Sequence, residues 1–456
     1  MRIVRRALNC VLTVLCANAA ALFIMFWDGS AIFPAAAGIF LVLFFIAMLC
    51  RPQRKQMAQK GLQILSDGYE LLLVFLVSVT VTAVFQLYFT YTELGIMLPW
   101  NGSESAVVLG LLACSIATAV IFEALVFWCG IIRLYITSVQ LGIKHRVLGI
   151  IFGWIPVLNI YYLIKMMRTV KREIETESEK ICLNAVRKEN FDCATRYPIL
   201  LVHGVFFRDC RYLNYWGRIS SELKRNGAEI YYGNQQSAAS VEECGRELAD
   251  RISEIVRETG REKVNIIAHS KGGLDSRAAI SHFGAAPFVA SLTTVNTPHR
   301  GCIFADYLLE KIPEKIKLSV SRTYNAALKR FGDKNPDFLT AVSDLTASSC
   351  AERNKDTPDV AGVFYQSVMS CCKKAGSGKF PLNLSYPLVQ HFDGENDGLV
   401  SVDSAEWGEK FTLIRPSGKR GVSHGDMIDL NRENIPGFDV REFYVSLVKN
   451  LKKRGF

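Results

Sequence analysis

The feature that most constrains this chain is that its first third is nearly free of charge. Residues 1–164 hold only 10 Lys/Arg and 6 Asp/Glu. These charges mostly separate four apolar runs at about residues 7–27, 31–50, 71–91 and 106–132. At about 1.5 Å per residue, about 20 apolar residues cross a hydrocarbon core about 30 Å thick. The runs therefore predict at least four spanning helices. The first is longer than the apolar core of a cleaved signal peptide, and a second run follows within a few residues.

Loop charges orient these spans. The N-terminal stub (Arg2, Arg5, Arg6), the second loop (Arg51, Arg54, Lys55, Lys60) and the fourth (Arg133, Lys144, Arg146) are basic, whereas the loops between them carry Asp28 and then Glu93 and Glu104. Basic loops stay on the cytoplasmic side, so the N-terminus is expected there. A fifth apolar segment, residues 147–164, is borderline in length and holds Gly153, Pro156 and Asn159 in its middle. It reads either as a fifth span or as a re-entrant or interfacial piece, and the choice sets the side on which the rest of the chain lies. Glu123 is an ionisable residue inside the fourth run; with no second intramembrane charge to form a relay, snorkelling, pairing with a polar neighbour or simple protonation accounts for it at least as well as transport.

Half of the 456 residues are hydrophobic and the net charge is +10, which excludes a disordered or fibrous chain. About half of that charge excess lies before residue 196, beside the apolar runs. It reads as a topology signal, and no basic patch with interleaved aromatics points to nucleic acid. Five of the 13 cysteines lie in the apolar runs and the others show no metal-binding spacing, so neither a metal nor another cofactor is expected.

Residues 165–195 form a charged, helical linker. From residue 196 to 456 short apolar runs alternate with amphipathic segments: strands are expected at 198–202, 229–232, 264–268, 289–295 and 388–392, with a helix over 241–259 opened by a Ser240/Glu243 capping box. Strands separated by helices predict an α/β domain with a mostly parallel sheet covered on both faces.

The chemistry is concentrated in Ala268-His269-Ser270-Lys271-Gly272-Gly273, where a strand runs into a serine followed by two glycines and a helix. A nucleophile elbow needs this context: small neighbours permit a sharp turn that projects the serine Oγ from the sheet edge. In such α/β-hydrolase folds the order is serine, acid, histidine. Only His391 and His424 follow His299, and His391 falls in the expected strand at 388–392, which leaves His424 as the base. Asp393, Glu395 and Asp397 are the candidate acids; Asp397 is preferred because its Asn-Asp-Gly turn sits past the strand end. The oxyanion donors are expected to be the backbone N–H groups of Lys271 and of Val205, in the His203-Gly204-Val205-Phe206 loop. His203 precedes the serine and reads as a brace for that loop.

Together with Thr293–Gly301, Asp344-Leu345-Thr346 and Asn396–Ser401, these motifs resemble the bacterial true lipases, triacylglycerol lipases of the α/β-hydrolase fold, over about residues 196–430. The resemblance implies Ser270 as nucleophile, His424 as base, Asp397 as acid, and Val205 and Lys271 as oxyanion donors. It also implies a helical lid in the insert at about 302–386. Asp426 matches one calcium ligand position of some of these lipases, but a second is missing and calcium is not expected.

The expectation is a multi-pass membrane protein, 1–164 helical and 196–456 catalytic, that cleaves lipid carboxylic esters. An acyltransferase or thioesterase using the same triad is the alternative, and an inactive membrane scaffold or a transporter is the alternative of another class.

Overall fold

The computed structural model describes residues 2–26, 32–51, 59–96, 102–155, 157–187, 189–205, 214–330 and 333–456. Asp28, Arg54, Lys55, Pro156 and Phe206 lie outside them. The chain divides into two units, Met1–Cys182 and Leu183–Phe456.

The first unit is helical: Arg2–Ala17, Ala19–Phe26, Ile32–Cys50, Lys60–Ile96, Gly102–Thr137, Gly142–Phe152 and the start of Leu158–Arg187. Two stretches, Lys60–Thr92 and Ala106–Thr137, are long and apolar enough to cross a membrane. The first expected span is instead a pair, Ile3–Ala17 and Ala19–Phe26, bent by 63°, and Ala36–Cys50 is a shorter apolar helix. Asn18 stands at the bend. Its side-chain amide donates to the Val14 carbonyl at 2.8 Å and to Thr82 Oγ1 at 3.3 Å, the local competition that bends helices. The fifth segment is not one helix: Gly142–Phe152 ends before Gly153, and a new helix starts at Leu158.

Glu123 is buried with its carboxylate satisfied locally. Its two oxygens accept from Ser78 Oγ at 2.8 Å and Thr82 Oγ1 at 3.0 Å. That pairing answers the cost of a polar group in an apolar setting.

The second unit is built on a six-stranded parallel sheet: β1 (Ile199–Val202), β2 (Ile230–Tyr232), β3 (Val264–His269), β4 (Val289–Val295), β5 (Phe364–Ser370) and β6 (Lys410–Ile414), in the order β2-β1-β3-β4-β5-β6. Successive side chains on a strand point to opposite faces. Leu200, Val202, Ile266 and Ala268 pack against Leu248, Ile252 and Ile255 of the helix Val241–Thr259. Ile199, Leu201, Ile267 and Val295 meet Trp216, Tyr444, Val445 and Val448 on the other face. Both faces are thus covered by helices, as near-continuous apolar strands require. The capping box is present, with Ser240 Oγ accepting from the Glu243 N–H at 3.1 Å.

Two expectations are corrected. Residues 388–392 are not a strand; they lie in the helix Leu382–Asp393, which holds Pro387 in its interior. A short apolar run has no periodicity that separates strand from buried helix, and the proline pointed away from helix. The insert expected over 302–386 is also shorter, because Phe364–Ser370 is a strand of the sheet; its helices run from Ile303 to Asp356. Ser367 and Ser370 make that strand look polar in sequence. In the fold Ser367 Oγ donates to the Trp407 carbonyl at 2.8 Å and Ser370 Oγ accepts from Asn296 Nδ2 at 2.8 Å.

Candidate active site

β3 ends at His269 and a helix, Lys271–His282, begins one residue later, leaving Ser270 to make the turn at φ 55° and ψ −132°. A non-glycine residue held there stores about 1–3 kcal/mol of strain and persists only where its surroundings fix it. The Ser270 N–H donates to the Val295 carbonyl at 2.9 Å, and Thr297 Oγ1 donates to the Ser270 carbonyl at 2.8 Å. The small residue at 268 is wholly buried in the sheet. Gly272 is required for another reason: a Cβ there would lie 2.3 Å from the His203 carbonyl oxygen, so only glycine lets the helix start against the end of β1.

The loop after β1 passes directly over the serine. A Cβ on Gly204 would fall 2.8 Å from Ser270 Cβ and 2.9 Å from Tyr215 Oη. Val205 follows, half-buried against Ala238, Leu328 and Ala341, and residues 206–213 lie outside the described chain. His203 braces this loop, its ring nitrogens 2.9 Å from the Gly204 carbonyl and 3.0 Å from the Gln235 carbonyl.

Asp397 and His424 come together from two loops beyond β5. Nδ1 of His424 is 2.6 Å from Asp397 Oδ2, and the His424 backbone N–H donates to the Asp397 carbonyl at 3.0 Å. Asp397 is fully buried, and its other oxygen accepts the N–H groups of Leu399 at 2.9 Å and Val400 at 2.8 Å. Asn296 Nδ2 donates to Oδ2. A carboxylate held by this many donors is fixed in place and accepts the imidazole Nδ1–H, which leaves Nε2 as the ring nitrogen without a hydrogen. The His424 ring packs 4.5 Å, centroid to centroid, from that of His269, the residue before the serine.

The remaining candidates are occupied elsewhere. Asp393 accepts the N–H groups of Ile303 at 2.8 Å and Phe304 at 3.0 Å, and Glu395 pairs with Arg415. His391 lies near the end of the helix Leu382–Asp393. Asp426 accepts from Ser423 Oγ at 2.7 Å and Arg420 Nη2 at 3.0 Å. The Lys271 side chain points away from the serine into the core, where Nζ contacts Asp275 Oδ1 at 2.7 Å and both groups are buried. Lys271 can thus serve the site only through its backbone.

Three residues of this neighbourhood were not singled out from the sequence: Asn296, Tyr215 and His269. Asn296 has a signal, since it follows β4 directly and asparagine is among the few residues that accept its φ of 49°. Tyr215 has none, being placed by the fold alone.

Residues 201–331 match the family described as "Putative serine esterase (DUF676)". A triacylglycerol lipase of Pseudarthrobacter phenanthrenivorans is 36% identical over 179 residues, 36% of this chain and 55% of that protein. One from Pseudomonas fragi is 29% identical over 296 residues, 57% of this chain and 98% of that protein. Over part of its length the chain is similar to triacylglycerol lipases. Its lipase-like part is the second unit, an α/β-hydrolase fold, and the chain spans only about half the length of the first of these relatives. The crystal structure of a Bacillus licheniformis lipase aligns with 24% identity and a TM-score of 0.42, over 56% of this chain and 92% of that one.

Proposed function

We propose that the protein is a membrane-anchored serine hydrolase that cleaves carboxylic esters of lipids. The observations that carry this reading are Ser270, held at positive φ on the end of β3, and a buried His424–Asp397 pair 2.6 Å apart whose imidazole packs 4.5 Å from the ring of His269, the residue before the serine. Ser270 Oγ attacks the ester carbonyl carbon while His424 Nε2 takes its proton. Asp397 holds the ring in the right tautomer and stabilises the imidazolium. The N–H groups of Val205 and Lys271 receive the oxyanion. Collapse breaks the bond to the alcohol oxygen, which leaves with the proton from His424. Water, deprotonated by the same imidazole, then releases the acid and restores the serine.

A lipid ester is favoured by apolar surface on this unit. Ile303 and Tyr307 on one insert helix, Ile316 and Leu318 on the next, and Phe380 and Leu384 near the histidine loop are all exposed. Large apolar side chains left exposed on the insert helices suit a surface that meets lipid. The helices of the first unit serve as a multi-pass anchor, and the break at Gly153 fits a fifth segment that does not cross, which keeps the hydrolase on the side of the basic loops.

The test is to react the detergent-solubilised protein and Ser270→Ala with a fluorophosphonate probe and to assay p-nitrophenyl esters of increasing chain length. Labelling and hydrolysis confined to the native serine, with preference for longer acyl chains, is the expected result. Labelling that survives in Ser270→Ala removes Ser270 as nucleophile.

A further inference from the structure

The helical unit contains a cleft that ester cleavage does not use. It measures about 1120 Å3 and opens between four helices. From Arg2–Ala17 it takes Arg5, Leu8 and Leu12; from Ile32–Cys50 and the residue after it, Phe44, Met48 and Arg51. From Lys60–Ile96 it takes Lys60, Ile64 and Asp67. Each set is spaced by three, four or seven residues, the repeat that puts side chains on one helical face.

The order of residues within these stripes matters more than their number. Arg5 and Lys60 begin their helices and Arg51 follows the end of its own, so the three cations gather at one end of the cleft. About 10 Å further along each helix, two turns at 1.5 Å per residue, the walls become Leu12 and Phe44. Asp67 lies at that inner level, its carboxylate accepting from Gln63 Nε2 at 2.8 Å.

The fourth helix adds Arg133. One of its terminal nitrogens, Nη2, donates to the Leu49 carbonyl at 2.6 Å. The other, Nη1, is buried without a hydrogen-bond partner among the described residues. A buried guanidinium N–H is costly to leave unpaired, and here it lines a cleft with three other cations.

We propose that this cleft binds an acidic phospholipid, its phosphate among Arg5, Arg51, Lys60 and Arg133 and an acyl chain along Leu8, Leu12, Phe44 and Ile64. Four cations converging from four helices suit a tetrahedral phosphate, whose oxygens point in several directions, better than a planar carboxylate. The apolar wall separates a lipid from a soluble anion. Basic clefts between helices at the cytoplasmic face are where acidic headgroups are held. The inference rests on the membrane reading of this unit but not on the chemistry at Ser270.

The test uses the full chain in dodecyl maltoside and native mass spectrometry with phosphatidylglycerol, phosphatidylcholine and oleate. One phosphatidylglycerol should be retained at least tenfold more tightly than phosphatidylcholine or oleate. Arg5→Gln/Lys60→Gln, both at exposed positions, should lose at least tenfold of that affinity with an unchanged thermal melt, and Lys60→Arg should keep it. Equal retention of the two phospholipids, or tighter retention of oleate, overturns the proposal. So does an equal loss in Arg168→Gln/Lys171→Gln, which lies outside the cleft and would report diffuse attraction. An alkaline carbonate wash tests the membrane reading separately: release of the chain would reject that reading without altering the binding result in detergent.

Discussion

The hydroxyl of Tyr215 stands 2.7 Å from Nδ1 of His269. The same oxygen accepts the Gly204 N–H at 2.9 Å, so one buried side chain ties the loop above Ser270 to the strand end that carries it. The register between the Gly204 loop and Ser270 therefore depends on a residue that belongs to neither.

Tyr215→Phe removes that oxygen and leaves a buried N–H unpaired, at about 1–3 kcal/mol of stability. If about 1.4 kcal/mol of this is felt in the transition state, kcat/KM falls about tenfold. Ester hydrolysis and a denaturant melt on the same preparation check it. A variant that loses stability with full activity would show that Tyr215 does not set the loop.

Asn296 supports Asp397 from behind, donating from Nδ2 to Asp397 Oδ2 and Ser370 Oγ, while its own φ is 49°. Asn296→Gly keeps that backbone conformation available and removes the side chain with its amide, including the Oδ1 that accepts the Ser370 N–H at 3.2 Å. A hydrogen bond to a charged group contributes about 1.5–3 kcal/mol, so kcat is expected to drop about 10- to 100-fold with KM little changed. Steady-state kinetics separate the two. An unchanged kcat would mean that His424 and the N–H groups of Leu399 and Val400 are enough to position Asp397.

What the sequence disclosed and what it hid divide along a physical line. Ser270, Asp397 and His424 each sit in a local pattern, a strand-to-helix turn or a glycine-bearing loop, whose geometry is encoded within a few residues. The helix Leu382–Asp393 and the strand Phe364–Ser370 were hidden because their identities depend on distant partners. The serines of that strand are satisfied by Trp407 and Asn296, remote in sequence. The same holds for Asn18, whose bend in the first apolar run goes with a bond to Thr82 on another helix.

Lys271 is expected to act through its N–H alone, and its side chain gives a way to show this. Nζ and the Asp275 carboxylate form an ion pair with both groups nearly inaccessible. Lys271→Met strands the carboxylate and should cost about 3–5 kcal/mol, whereas replacing both partners by apolar residues of similar size is often neutral. Lys271→Met/Asp275→Leu should therefore recover most of the stability and, with the backbone unchanged, most of the activity. Recovered stability with lost hydrolysis would give the lysine side chain a part in the chemistry.

Stability should fall in mild acid, through histidines the reaction does not ionise. His269 and His299 are wholly buried, and burial holds both well below the usual histidine range; the charge of His424 adds to this for the first, and those of Arg277 and Arg300 for the second. Both stay neutral in the folded chain when the unfolded chain takes up protons, below about pH 6.5. The unfolded state then binds more protons, so the stability these groups contribute is present above about pH 6.5 and is lost as pH falls. His299 Nε2 lies 2.9 Å from Thr294 Oγ1, and a glutamine can place a polar atom near that position without titrating. His299→Gln should be less stable than the native chain at pH 8 and should lose less on going to pH 5. Melting midpoints of the two proteins across that interval decide the matter: parallel curves would remove His299 from the acid sensitivity, and curves that converge toward low pH would place it there.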